Sequence, residues 1–180
     1  NVDKVKNKDK RKPVSVDWSS DSKKFSMVRT DERSVKDLWV INSVASPRPT
    51  LETYKYQMPG EKESPKEELI IFDFESKGQL KIKTDTFPDQ VLGVFNASVL
   101  KKNGDDRRKP SLWLARSNDK LYFSRTSRDL KRVDVCVADA KTGEVKVVVK
   151  ERLNTYVEIE TPGLINNGQE LIQWSERDGW

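Results

Sequence analysis

Alternation of apolar and polar residues with a period of two is the feature that most constrains this chain. In KFSMVRT, Phe25, Met27 and Arg29 fall on one face and Ser26, Val28 and Thr30 on the other. ELIIFDFE, KLYFSRT, RVDVCVAD, EVKVVVKE and TYVEIET share the same short, β-branched and aromatic character. Turn formers separate them, at Asp21-Ser22, Lys77-Gly78, Asn103-Gly104, Thr142-Gly143 and Asn167-Gly168. Runs of this length and composition are strands. No amphipathic helical stretch competes, and residues 31–40 and 127–133 offer room only for a short helical turn. The expected fold is all-β.

The turns line up as an internal repeat. Val16–Arg33, Leu112–Asp129 and Gly163–Trp180 each carry an apolar stretch, a Ser/Asn/Asp/Gly turn, a second strand and a polar Arg-bearing turn. Phe25, Leu121 and Leu171 are equivalent on this scheme, 96 and 50 residues apart. The shorter spacing suits one four-stranded blade of a β-propeller, and the longer one a blade with an insertion. The first blade uses 14–18, 25–30, 68–74 and 79–84. The second uses SLWLA, KLYFSRT, RVDVCVAD and EVKVVVKE, with Gly143 at a left-handed hairpin position. The organisation is then a basic, flexible lead-in over 1–12 and a partial β-propeller over 13–180. Its first blade spans 13–90, its second 91–150, and an incomplete third 151–180. About two and a half four-stranded blades are present, with a proline-rich insertion (31–67) in the first. Prolines 47, 49, 59 and 65 argue against a long regular element there. ELIQWSERDGW reads as a strand entering a tight turn, whose partner strand is expected beyond Trp180.

Several chemistries are excluded by composition. The chain has no histidine and a single cysteine, Cys136. Histidine-based triads, histidine metal ligands, internal disulfides and paired-cysteine metal sites are therefore absent. No catalytic, cofactor-binding or metal-binding residue is assigned, and no cofactor is expected. Cys136 sits at a strand position and reads as a small buried hydrophobe. Net charge is +5. Six cations against two anions place +4 of it in residues 1–12. That run lacks an aromatic residue to stack on bases and reads as a solvated tail, so no nucleic-acid partner is expected. The mixed charges of Lys101–Lys109 read as a solvated loop. No apolar run approaches the roughly 18–20 residues of a membrane span. No basic-then-apolar leader opens the chain, so no signal peptide is read in it.

Four stretches, in order, resemble the N-terminal β-propeller of the dipeptidyl peptidase IV subfamily of prolyl oligopeptidase-type serine peptidases. WSSDSKKFSMVRTDE is similar to that family's Trp-Ser-Pro-Asp-Gly blade turn and following strand. YKYQMPGEKESP is similar to its Tyr-Pro-x-Ala-Gly segment. Ser124–Glu144 is similar to its strand-hairpin-strand unit, and WSERDGW to another blade turn. The basic lead-in and RTDERSVKDLWVINS are most similar to members from Bacteroidetes-type bacteria. The resemblance implies a non-catalytic propeller fragment that gates and orients peptide substrates for an α/β-hydrolase domain absent from this chain. It also implies a periplasmic or secreted parent protein. Tyr54, Tyr56, Met58 and Pro59 then become a candidate contact arm toward a neighbouring subunit or the substrate entrance. Self-association of the chain is expected through the unpaired edge at Glu170–Trp174. The alternative is a propeller scaffold that binds protein or ligand with no peptidase attached.

Two family features are missing. The Glu pair that grips a substrate's amino terminus has no counterpart in VKNKDKRKPVSVDW, which contains no Glu. Glu67-Glu68 opens a strand elsewhere and does not take that role. The Gly-x-Ser-x-Gly nucleophile elbow is also absent. The chain alone is therefore expected to turn over no chromogenic X-Pro or X-Ala dipeptide and to take no label from an active-site serine probe. Signal above a boiled control would overturn this.

Overall fold

A computed structural model describes residues 14–95, 113, 118–166 and 169–179. The lead-in and the Lys101–Lys109 loop lie outside the described residues. Among the described residues twelve strands form and there is no α-helix. Sheet I is β1 (Asp17–Trp18), β2 (Lys24–Asp31), β5 (Lys66–Asp73) and β6 (Gln79–Lys81), in the order β1-β2-β5-β6. Sheet II is an antiparallel meander of β7 (Val91–Val94), β8 (Lys120–Thr126), β9 (Arg132–Asp139) and β10 (Val145–Arg152). A third, two-stranded sheet pairs β11 (Gly163–Ile165) with β12 (Glu170–Ile172), and a separate hairpin pairs β3 (Asp37–Asn42) with β4 (Thr50–Lys55). The architecture is a partial β-propeller.

Two apolar layers hold the blades. The first joins Val28, Leu69, Ile71 and Ile82 to Leu92, Leu121, Phe123, Cys136 and Ala138. The second places Tyr122 and Val135 against Leu164 and Leu171 of the third sheet. Alternation puts Leu121 and Phe123 on one face of β8 and Tyr122 on the other, so sheet II is covered on both sides. A β-bulge between Val147 and Val149 of β10 breaks the period. Val147 pairs with Cys136 in the first layer, whereas Val149 pairs with Val135 in the second. Without the extra residue both valines would face the same way. Cys136 is fully buried, as its strand position suggested, and burial pushes its thiol up to about 11.

Phe25, Leu121 and Leu171 each fall second in the second strand of their sheet. Leu171 and Leu121 face the sheet that precedes them. The corresponding face of sheet I carries Trp18, Phe25 and Phe72, with ring centroids 5.0 Å apart at the Trp18–Phe25 and Phe25–Phe72 contacts. The edge of this cluster, at Trp18 and Phe74, is exposed to solvent.

One end of the first layer is charged. Asp134, buried, accepts from Arg125 Nε at 2.9 Å and Arg152 Nη2 at 2.5 Å. Arg125 Nη1 also donates to the Thr84 carbonyl at 3.3 Å. The Phe87 ring lies 5.0–5.7 Å from the guanidinium carbons of Arg125, Arg132 and Arg152. A buried carboxylate tolerates such a place because its cations and hydrogen bonds replace lost water.

Four details depart from the sequence reading. The strand paired with β8 at the start of the second blade is Val91–Val94, whereas Ser111–Ala115, read for that place, lies outside the described residues except for Trp113. Gly93 stands inside this strand. It faces Ser124, whose hydroxyl donates to the Gly93 carbonyl at 3.4 Å, and a Cβ would sit 3.0 Å from that hydroxyl. Trp113, taken for a strand residue, is buried in the first layer outside any strand. TYVEIET forms no ladder. Val157 N donates to the Leu130 carbonyl at 2.9 Å, while Ile159 packs in the second layer. The insertion holds six-residue strands where 31–40 had offered a helical turn. Its prolines lie in the connection and beyond β4, so they bound the hairpin without interrupting it.

The sheets are also joined at their rims. Lys83 N donates to Gly143 O at 3.0 Å, and Lys83 pairs with Glu144. Gly143 has φ +75°, and a Cβ there would meet Lys81 O at 2.9 Å. Gly143→Ala is expected to destabilise the chain by about 1–2 kcal/mol or more, from the left-handed backbone and the collision together. Denaturant unfolding checks this, and an unchanged midpoint would show that the rim has room to yield.

Candidate interaction arm

Between β2 and β5 the chain leaves sheet I, builds the β3–β4 hairpin and returns. Its register is Asp37↔Lys55, Leu38↔Tyr54, Trp39↔Thr53, Val40↔Glu52, Ile41↔Leu51 and Asn42↔Thr50. One face therefore gathers Trp39, Ile41 and Leu51, which are 70%, 69% and 65% exposed. The Asp37–Lys55 ion pair, at 3.0 Å, closes that face at its root. The other face carries Val40 and Tyr54. Two strands alone are marginal in water, so the arm depends on how its base is held.

The base is a compact hydrogen-bonded knot. Met58-Pro59-Gly60-Glu61 forms a tight turn, with Glu61 N donating to Met58 O at 3.1 Å and Gly60 at φ +88°. Proline before a positive-φ glycine is what such a turn requires. The Glu61 carboxylate accepts from Lys36 Nζ at 3.0 Å and from Met58 N at 3.1 Å. Tyr56 N donates to Lys36 O at 3.1 Å, and Gln57 Nε2 to Glu61 O at 3.1 Å. The Lys36 ammonium, then the Met58 amide, hold the Glu61 carboxyl below the usual glutamate range. Glu61 in turn raises Lys36.

The four residues read as an arm from sequence lie along this element. Tyr54 is the penultimate residue of β4, Tyr56 follows the strand, and Met58 and Pro59 form the turn at the root; all four are exposed. They sit near the base. The more exposed apolar face, Trp39, Ile41 and Leu51, was not singled out. The alternation in DLWVIN was the available signal, obscured by reading the segment as irregular.

Other sequence features have structural occupations. Glu67 accepts from Leu92 N at 2.6 Å, joining sheets I and II. Glu68 takes Arg29 and Lys81 on its two oxygens. The closing turn is tied back to sheet II, because buried Glu151 accepts from Ser175 Oγ at 3.0 Å and forms an ion pair with Arg177 at 3.1 Å. Gly179, at φ +83°, donates to Glu176 O as that turn closes. Among the described residues no group of His, Cys, Asp and Glu could hold a metal ion, and no helix is long and apolar enough to cross a membrane.

The Glu61 carboxyl is expected to titrate below the ordinary value of about 4.3. Its folded pKa is depressed, so its contribution to the base is complete above the unfolded pKa and is lost as pH falls through the folded one. Carbon-detected NMR titration of Glu61 checks this. Lys36→Ala should move the midpoint back up, and an unmoved midpoint would remove Lys36 as the cause.

Comparison with known proteins bears on the whole chain. The family described as the dipeptidyl peptidase IV (DPP IV) N-terminal region matches residues 11–180. Among solved structures, a candidate dipeptidyl aminopeptidase IV from Bacteroides ovatus ATCC 8483 aligns with a TM-score of 0.67 at 21% identity. That alignment covers 92% of this chain and 21% of the other. Porphyromonas gingivalis dipeptidyl peptidase 4 aligns with a TM-score of 0.64 at 17% identity, covering 91% and 21%. No curated protein matches. The chain thus spans about a fifth of the length of the solved structures it is similar to. A match running over nearly every described strand, on a partial propeller of this architecture, assigns the chain to the dipeptidyl peptidase IV N-terminal region family.

Proposed function

We propose that this chain is the part of an N-terminal propeller that gates and orients peptide substrates for an α/β-hydrolase domain carried elsewhere in its parent protein. The parent is then a serine exopeptidase of the dipeptidyl peptidase IV type, periplasmic or secreted. Within it the propeller blades run over 13–90, 91–150 and 151–180, behind the basic lead-in. The β3–β4 arm is the contact element, with Tyr54, Tyr56, Met58 and Pro59 at its root.

The carrying observation is the arm's side-by-side Trp39, Ile41 and Leu51, all about two-thirds exposed. Apolar side chains grouped this way on a projecting element mark a contact surface. The aromatic cluster of sheet I supports the placement within a larger ring, since its position matches the faces by which the other sheets meet their predecessors. The parent gene tests the peptidase reading directly: a Gly-x-Ser-x-Gly elbow followed by Asp and His is expected downstream. A parent without them would be a binding scaffold.

Self-association is expected of the isolated chain, and analytical ultracentrifugation over a wide concentration range measures it. Trp39→Lys should weaken it by at least about tenfold if the arm is the contact, as loss of an aromatic anchor does at other interfaces. Ile172→Lys charges the β12 edge, where Ile172 is exposed. Weakening by Ile172→Lys alone would move the contact from the arm to the terminal strand. A monomer at every concentration would end both readings.

A further inference from the structure

We propose that Arg128 latches the arm to sheet II and thereby sets the direction in which the arm leaves the propeller. Its Nη1 donates to Gln57 Oε1 at 2.5 Å, at the arm's root, and lies 3.3 Å from Asp89 Oδ2. Asp89 stands on the segment joining sheets I and II, and its other oxygen accepts from Ser64, a buried residue on the return path of the arm. Gln57 and Asp89, on different segments, therefore meet one guanidinium, and Ser64 joins them through Asp89.

The β8–β9 turn presents that guanidinium from a fixed frame. Ser127, fully buried, accepts from Arg132 N at 3.1 Å, and its own hydroxyl donates to Asp129 at 2.5 Å. Leu130 N closes the turn on Ser127 O at 2.9 Å. Arginine suits the position because one nitrogen, Nη1, held in the guanidinium plane, reaches an amide oxygen and a carboxylate together.

The latch is weak by construction. The Arg128 side chain is 57% exposed, so water and salt compete with both partners. Exposed pairs of this kind shift a two-state balance by about 1.5- to 5-fold. The arm is held in one orientation yet released by a modest change in ionic strength or by a partner that takes Gln57 or Asp89. The inference deepens the contact reading of the arm, but its test does not pass through association.

The test is a distance measurement on the full chain with spin labels at Val44→Cys, in the arm's connection, and Lys146→Cys, on sheet II. Labelled protein is diluted with unlabelled chain, and buried Cys136 stays unlabelled. The starting protein should give one narrow distribution at low salt. Arg128→Ala should raise the displaced fraction about 1.5- to 5-fold with an unchanged melting midpoint. Salt at about 0.5 M should do the same to the starting protein and do less to Arg128→Ala, in which the Lys36–Glu61 pair at the root is left to screen. Asp89→Asn should act in the same direction, since Asn keeps the left-handed backbone at φ 55° while losing the charge. Arg128→Lys should fall between. Identical distributions for the starting protein and Arg128→Ala would overturn the latch, as would a salt response that Arg128→Ala leaves undiminished. If ultracentrifugation removes the contact reading, the distance result still decides the latch.

Discussion

Sheet II is apolar on both faces, and the rest of the molecule is arranged around that fact. Leu121, Phe123 and Cys136 need cover on one side, and Tyr122 and Val135 on the other. A two-sided apolar sheet has no stable solution in water except between two neighbours. Sheet I supplies one through Leu69 and Ile71, and the β11–β12 hairpin supplies the other through Leu164 and Leu171. The bulge at Val147/Val149 serves the same need by dividing one strand's valines between the two layers. Where the first layer reaches the arm side, apolar contact gives way to Asp134 and its arginines.

Polar turns seal what the layers leave open, and one turn recurs. Ser19 accepts from Lys24 N at 3.0 Å and donates to Asp21 at 2.6 Å, with Ser22 at φ 57°. Ser127, Asp129, Leu130 and Arg132 repeat the pattern residue for residue, with Leu130 at φ 58°. The first copy reaches sheet II through Ser20 Oγ and Asn118 Oδ1, 2.7 Å apart. The second presents Arg128 to the arm. The same six-residue solution to a hairpin therefore joins neighbouring parts at two different places. Both copies hold their aspartate below the usual carboxylate range, chiefly through the serine hydroxyl.

The arm inverts the logic of the core. Its strands bury little, and its order rests on the Glu61 knot and the bridge to Arg128. An element held at its root by polar contacts and apolar at its outer face is suited to be covered by something else. That combination separates it from the blades, whose apolar residues face one another.

Period-two patterning, the turn chemistry and the missing histidine were legible in the chain. They follow from local rules: side chains alternate across a strand, Gly143 occupies a left-handed position, and an absent residue type excludes its chemistry. The equivalence of Phe25, Leu121 and Leu171 was legible for the same reason, because each follows a turn by a set number of residues. Which faces meet was not. Alternation says that Val147 and Val149 share a side, and only a bulge formed against β9 separates them. TYVEIET has the alternation of a strand, yet among the described residues it joins no ladder. The exposure of Trp39, Ile41 and Leu51, and the meeting of Gln57 with Arg128 across 71 residues, depend on where the insertion points. Local propensity thus determined the strands and turns, while the pairing of distant surfaces, which no local rule encodes, decided the layers, the arm and its latch.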